Sequence, residues 1–187
     1  MNRKMLITLG ALAGALVVLV VLLAVLAPAL KAREEQQTIT TAQATTTTPA
    51  ALGTRNEQEV LKVTVKQADG SFTFIRDSYL KEWTMEGEAE VQLNQSMVSS
   101  LVSHAAAGLV SQDIKSDLND LEQYGLAQPK SVVTITFSDG ESQTYCIGDL
   151  TVEGNGCYGY QEGVQRLVLL PGNFYSYAVA PLYSFVE

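Results

Sequence analysis

The hydrophobic pattern divides the chain into a long apolar segment near the N-terminus, a polar stretch, and a region where short apolar runs alternate with turns. Residues 6–27 contain no charged side chain, and fourteen of them are Leu, Ile or Val. As a helix this stretch would be about 33 Å long, close to the roughly 30 Å hydrocarbon thickness of a bilayer. The pattern therefore predicts one transmembrane helix over residues 6–30.

A cleaved signal peptide is the alternative interpretation of this segment. Ala27-Pro28-Ala29 has the spacing of a cleavage site, but proline is unfavourable there, and the apolar run exceeds the roughly 7–15 residues typical of a signal peptide. We therefore expect an uncleaved anchor. Basic residues flank it on both sides, so the positive-inside rule alone does not decide the orientation.

A threonine-rich stretch follows the apolar segment. Residues 31–56 have few apolar side chains and no periodicity, which predicts a disordered linker. The plain interpretation is a spacer, and a glycosylated stalk is the alternative. Such a tether favours residues 1–5 in the cytoplasm and the rest of the chain outside the membrane, so we expect a single-pass protein of the cell membrane.

The remaining residues, 57–187, predict an extracytoplasmic domain of the α+β class. Asp69-Gly70, Asp139-Gly140 and Glu162-Gly163 are turn signals between β-rich runs, which indicates antiparallel hairpins. The predicted strands are Val60–Lys66, Ser71–Ile75, Tyr79–Trp83, Val91–Leu93, Ser131–Ser138, Ser142–Ile147, Cys157–Gln161 and Gln165–Leu170.

The second hairpin has a register that its side chains specify. A three-residue loop with Gly140 in the left-handed region places all the large apolar residues on one face, whereas a two-residue loop would split them. These residues are Val133, Ile135, Phe137, Tyr145 and Ile147.

Two helices are expected against one face of these hairpins. Asn94 is a suitable N-cap for a helix whose apolar residues run at helical spacing from Met97 to Leu109. A shorter helix is predicted from Ser116 to Tyr124, ending at a left-handed Gly125. Leu126 would then contact Leu121, and Pro129 would prevent continuation. A last short helix is expected from Pro171 to Tyr177.

Charge excludes one class of partner. The formal net charge is −8, and beyond residue 33 there are eight Lys/Arg against all twenty Asp/Glu, a balance near −12. Nucleic-acid binding usually requires a basic patch, so we expect no nucleic-acid partner.

The two cysteines, Cys146 and Cys157, lie on successive predicted strands. In an oxidising compartment they would form a structural disulfide, which is the favoured interpretation; unpaired thiols are the alternative. No CxxC motif is present, and no histidine lies near either thiol in the sequence, so a zinc site is not expected.

The sequence shows no set of acid, base and nucleophile residues typical of an active site. The single histidine, His104, lies on a predicted helix without a nucleophile-elbow motif, and the acidic residues of 113–122 surround a predicted helix start. We therefore expect no catalytic residues, no metal and no cofactor.

Aromatic residues are concentrated in the C-terminal third. The simplest interpretation is that these aromatic residues pack in the core. The alternative is a protein or glycan interface, because aromatic residues anchor interfaces. The candidates are Tyr158, Tyr160, Phe174, Tyr175 and Tyr177.

A family resemblance rests on structural motifs. Tyr124-Gly125-Leu126, followed by Pro129, comes before a strand, the Asp139-Gly140 turn and a strand that reaches Gly148. This order resembles the bacterial domain-of-unknown-function family 4340 over about residues 79–185. The resemblance implies a membrane-anchored protein, in some members one that accompanies ABC transporter components, and it carries over no catalytic residue.

These inferences lead to three hypotheses. The first is a non-catalytic accessory or scaffold component of an envelope complex that acts through a protein partner; the family resemblance suggests an ABC transporter as the complex. The second is a module that binds a cell-envelope ligand, either a glycan or a cation. The third is an envelope enzyme.

Overall fold

Two similar runs, Val63-Thr-Val and Val133-Thr-Ile, pair with each other at the centre of one antiparallel sheet. The computed structural model describes residues 51–115 and 117–187 of the chain. In it, Val63 lies opposite Ile135, and Val65 lies opposite Val133. Alternate residues of both strands are fully buried, as expected for strands with one face on a core.

Eight strands form the sheet, and all neighbouring pairs are antiparallel. Their order across it is β3-β2-β1-β5-β6-β7-β8-β4. The strands are β1 (Val60–Gln67), β2 (Gly70–Ile75), β3 (Thr84–Met85), β4 (Gln112–Lys115), β5 (Ser131–Phe137), β6 (Ser142–Leu150), β7 (Gly156–Gln161) and β8 (Leu167–Pro171).

All three predicted hairpins are confirmed. The register predicted for β5 and β6 is also confirmed: Val133 lies opposite Tyr145, and Gly140 has φ 85° in a three-residue loop. The five apolar side chains assigned to one face of this hairpin are all buried in the main core.

Two α-helices cover one face of the sheet. The first, α1 (Gln95–Ala107), begins where Asn94 Oδ1 accepts the N–H of Met97 at 3.1 Å, as predicted. It ends at Gly108, which is left-handed with φ 56°. The second, α2 (Gly172–Ala178), follows Pro171, also as predicted. Both helices bury their apolar side chains in the main core, so the α+β class is confirmed.

The predicted helix from Ser116 to Tyr124 is wrong. Only a 3₁₀ turn, Leu121–Tyr124, is present, and Ser116 lies outside the described residues. Asp117 Oδ1 accepts the backbone N–H of Asn119 at 2.9 Å, and Asp120 is left-handed with φ 55°. The side chain therefore competes with the helical hydrogen bonds that the backbone would otherwise make.

Other differences concern short strands. Tyr79–Trp83 forms turns rather than a strand, and the neighbouring Thr84–Met85 pairs with β2 instead. Of Val91–Leu93, only Leu93 makes a bridge, with Val186. The edge strand β4 was not predicted, since Gln112–Lys115 carries two charged side chains and little apolar pattern.

The ordered contacts of the domain begin before residue 57, which the sequence placed as its first residue. Leu52 is 2% exposed, and its N–H donates to Gly108 O at 2.8 Å. The predicted segments 1–5 and 6–30, and the linker up to residue 50, lie outside the described residues. Within 51–115 and 117–187, no helix has both the length and the apolar character required to cross a membrane.

Candidate functional site

The sheet face opposite the helices is partly covered by the loop of residues 117–126. Leu126, Cys146 and Leu167 are buried there, separately from the main core. Partly buried side chains pack around them: Ile114, Leu118, Leu121, Tyr124, Val132, Tyr158 and Tyr160. We call residues 117–126 the closed loop.

The family-like motif holds this closed loop against β6. A Cβ on Gly148 would lie 2.2 Å from Tyr124 O, and a Cβ on Gly125 would lie 2.5 Å from Asp149 Cγ. Gly125 is left-handed with φ 67°, and the N–H of Leu126 donates to Leu121 O at 3.0 Å, as the predicted helix ending required. Pro129 lies between this turn and β5. Glycine is needed at position 148 because the backbone of Tyr124 approaches so closely, and at position 125 because the backbone there is left-handed.

The Asp139-Gly140 turn is held by an arginine. Arg55 forms ion pairs with Asp139 at 2.5 Å, Glu141 at 2.9 Å and Glu59 at 3.2 Å. Its guanidinium carbon lies 4.0 Å from the centre of the Phe137 ring. The hydrogen bond from Arg55 lowers the pKa of the Asp139 carboxyl. The motif residues therefore act on the fold, by joining the start of the domain to the β5–β6 turn.

Cys146 and Cys157 do not form the predicted disulfide. Both thiols are free and buried, and they lie on opposite faces of the sheet, Cys157 in the main core and Cys146 in the smaller cluster. Burial raises the pKa of Cys146, and it raises that of Cys157 to about 12. A thiol with a raised pKa carries little thiolate, the form that reacts. The sequence could not show this, because a register shift separates the two positions on β6 and β7.

The five aromatic candidates are divided between the two faces. Tyr158 and Tyr160 pack around the smaller cluster, where Tyr158 lies 4.9 Å from Tyr124 between ring centres. Phe174 is 2% exposed, and Tyr175 and Tyr177 are partly buried against the main core. The five do not share one surface, and packing accounts for their contacts.

His104 and the acidic residues do not assemble a site. The Nδ1 atom of His104 lies 2.7 Å from Ser100 O, one turn earlier on α1, and its ring contacts Tyr177 at 5.3 Å. Within the described ranges, no group of three or more His, Cys, Asp or Glu side chains is placed to hold a metal ion.

A second loop, residues 76–83, has a different character, and we call it the open loop. Arg76 lies between two aromatic rings, with its guanidinium carbon 4.4 Å from the centre of Trp83 and 5.3 Å from that of Tyr79. Its Nε donates to Val60 O and its Nη2 to Glu57 O, both at 2.8 Å. Desolvation by burial lowers the pKa of Arg76.

Two depressions flank Arg76. One of about 160 Å³ is lined by Glu57, Arg76, Tyr79, Trp83, Ser99 and Val102. The other, of about 430 Å³, is lined by Ile75, Arg76, Asp77, Leu80, Lys81, Glu82 and Thr84. Arg76 lines both depressions, so its side chain separates two concave regions of the open loop.

Large apolar side chains project from the same loop. Leu80 is 90% exposed and Tyr79 is 48% exposed. Leu109, Leu150, Val152 and Tyr183 are also exposed, and exposed apolar residues by themselves need no explanation; the open loop differs because its exposed side chains lie beside an arginine. The open loop brings an exposed tyrosine and a half-buried arginine together, two of the residue types enriched in interface hot spots, while Trp83 is 3% exposed. The hydrophobic pattern does not indicate this surface, because Tyr79–Trp83 has the composition of a strand; the adjacent Tyr79-Leu80 beyond a β-run is the available signal.

The comparison with protein families gives one match. Residues 83–186 match the family described as Domain of unknown function (DUF4340). No curated protein and no solved structure matches the chain. The matched region includes α1, the closed loop with its glycine contacts, the Asp139-Gly140 turn and the three strands that follow it. Since this match covers more than half of the chain, the protein belongs to the DUF4340 family.

Proposed function

We propose that the protein is a membrane-anchored, extracytoplasmic and non-catalytic accessory component of an envelope complex, and that its open loop makes the protein contact. The observation that carries this proposal is the exposure of Leu80 and Tyr79 beside Arg76. Burying a leucine side chain against a partner contributes about 1.5–3 kcal/mol, so a partner that covers Leu80 would gain this stabilisation.

The surroundings of the candidate catalytic groups support the non-catalytic part of the proposal. Both thiols are buried with raised pKa values, and His104 contacts its own helix and neighbouring aromatic rings. The apolar segment 6–27 supports the anchor, and the resemblance to membrane-anchored family members that accompany ABC transporters suggests the kind of complex.

The test is crosslinking in native membranes, followed by recovery of the tagged full-length chain and identification of the proteins that come with it. We expect a defined partner with the wild type and its loss when Tyr79 and Leu80 are both replaced by serine. Val152→Ser is the matched control, because Val152 is also fully exposed but lies on the β6–β7 turn. That variant should keep the partner.

Two outcomes would contradict the proposal. Equal recovery of the partner by the wild type and the Tyr79→Ser, Leu80→Ser variant would show that the contact lies elsewhere. Recovery of the chain alone would favour the second hypothesis, a module that binds an envelope ligand. Circular dichroism of each purified variant checks that the fold is retained.

A further inference from the structure

Among the half-buried basic residues of the described ranges, Arg76 is the one that forms no ion pair with a carboxylate. Of the eight Lys/Arg in the described ranges, five form ion pairs with carboxylates: Arg55, Lys62, Lys115, Lys130 and Arg166. Lys66 and Lys81 are exposed and solvated. Arg76 is half-buried between rings, yet no carboxylate of the described residues lies within ion-pair distance of it.

The hydrogen bonds of Arg76 leave part of its guanidinium unused. Two of its three nitrogens donate to backbone carbonyls, whereas Nη1 has no acceptor among the residues of 51–115 and 117–187. A guanidinium binds a carboxylate through parallel N–H groups, and the stacked rings already hold this one in place. Less side-chain entropy is therefore lost when an anion binds.

Further donors line the same depression. Ser99 projects from the exposed side of α1, and Tyr79 forms one of the walls. Neither hydroxyl has a hydrogen-bond partner in the part of the chain that the structure describes. Trp83 and Val102 supply apolar walls, so the depression of about 160 Å³ combines a cation and two hydroxyl donors with an apolar lining. This volume suits a carboxylate on a short stem.

Charge nearby selects the class of anion. The Glu57 carboxylate also lines this depression and acts on the charge of Arg76 through space. It repels a doubly charged phosphate more strongly than a singly charged carboxylate. Exposed Leu80 and Tyr79 beside the depression favour an apolar peptide segment over a small free acid.

We infer that the depression at Arg76 receives an Asp or Glu side chain of the protein partner, while apolar residues beside that acid cover Tyr79 and Leu80. This inference rests on the proposed protein contact and names its chemistry. The acidic domain would otherwise repel an acidic partner, so the Arg76 site restricts where such a partner docks.

Trp83 provides a direct readout, because it is the only tryptophan of the chain and contacts Arg76. The full-length chain in detergent micelles is titrated at constant ionic strength with N-acetyl-aspartate N-methylamide, and separately with the asparagine compound. We expect a saturable change in Trp83 emission with the aspartate compound, at millimolar concentrations, and none with the asparagine compound.

Three variants separate recognition from folding. Arg76→Gln should weaken binding at least about tenfold, because the charge-assisted hydrogen bonds are lost. Ser99→Ala should weaken it about threefold without affecting the fold, since Ser99 is exposed on a helix and alanine favours helices. Glu57→Gln should strengthen it about twofold to threefold, since it removes a nearby like charge.

The result that overturns the inference is a flat titration of the wild type, or equal binding by the wild type, Ser99→Ala and Arg76→Gln. An equal response to the aspartate and asparagine compounds would also overturn it. Partner recovery in native membranes is measured independently. If the partner depends on Tyr79 and Leu80 but the titration is flat, the proposed function stands and only the carboxylate inference fails; binding of the probe without any recovered partner contradicts the proposed function.

Discussion

The closed loop, 117–126, and the open loop, 76–83, both connect elements of the same sheet, but each places a leucine side chain in the opposite environment. In the closed loop Leu126 is 2% exposed, and its neighbours leave no room for a Cβ at Gly125 or Gly148. In the open loop Leu80 is 90% exposed, whereas Trp83 at the end of that loop is 3% exposed and lies in the main core. One loop completes a core, and the other presents a surface.

The difference separates the residues that identify the family from those proposed to make the contact. The match to the DUF4340 family covers residues 83–186, which include the closed loop and its glycine contacts. Of the open loop, only Trp83 lies within that match. The motifs by which the family is identified therefore specify packing, and the proposed contact is made mainly by residues that precede them.

The largest expected effect is at the contact between the closed loop and β6. Gly148→Ala places a Cβ 2.2 Å from Tyr124 O, so the backbone must move. We expect a loss of about 3 kcal/mol in the free energy of unfolding, at the upper end for overpacking a core. Urea unfolding followed by circular dichroism measures it, with Ser142→Ala, an exposed position on the same strand, as the control. A loss below about 1 kcal/mol would show that the loop is not tightly held.

Replacing a leucine by alanine in each loop should have very different effects on the free energy of unfolding. Leu126→Ala should cost about 2–3 kcal/mol, because it opens a cavity in the smaller cluster. Leu80→Ala should change stability by less than about 0.5 kcal/mol, because its side chain is already in water. Denaturant midpoints of both variants, compared with the wild type, measure the difference. Equal losses would mean that Leu80 is covered within the chain.

Arg55 and Arg76 both stack on aromatic rings, but their effects on the melting temperature should depend differently on pH. This effect is smaller than the two described above. Arg55 lowers the pKa of Asp139, so this pair stabilises the fold above the unfolded-state pKa of Asp, about 3.9, and the stabilisation is lost as the pH falls through the lower folded-state pKa. Arg55→Met should therefore lower the melting temperature by a few degrees at pH 7, and by much less near pH 2. For Arg76→Met the shift should change less with pH than for Arg55→Met, because Arg76 forms no ion pair with a described carboxylate and Glu57 acts on its charge only through space. Thermal scans at both pH values, with and without about 0.5 M salt to screen the pairs, check this.

Part of this arrangement follows from local sequence. Gly140 and the alternation of Val133, Ile135 and Phe137 determine the β5–β6 register, because any other loop length would expose apolar residues. Gly125 and Leu126 likewise predict the turn that ends the closed loop. Each of these features depends on residues close together in the chain.

The rest depends either on competing local hydrogen bonds or on contacts between distant segments. The helix predicted from Ser116 fails where Asp117 and Asp120 form a turn, and their side chains are compatible with either structure. Cys146 and Cys157 lie on strands that follow each other in the sequence, but strand register places them on opposite faces of the sheet. The site at Arg76 forms only where Trp83, Ser99 and the backbone of Val60 and Glu57 lie close together. The spacing of these residues in the sequence does not predict that proximity.

The proposal that the open loop contacts a protein partner is tested most simply by photo-crosslinking. A photo-crosslinking amino acid is placed at position 80 of the open loop or at position 123 of the closed loop. Leu80 and Gln123 are both exposed, so either position can react with a neighbour. After irradiation of native membranes, we expect a defined protein adduct from position 80 and none from position 123. An adduct from position 123 alone, or equal adducts from both positions, would contradict the assignment of the open loop as the contact surface.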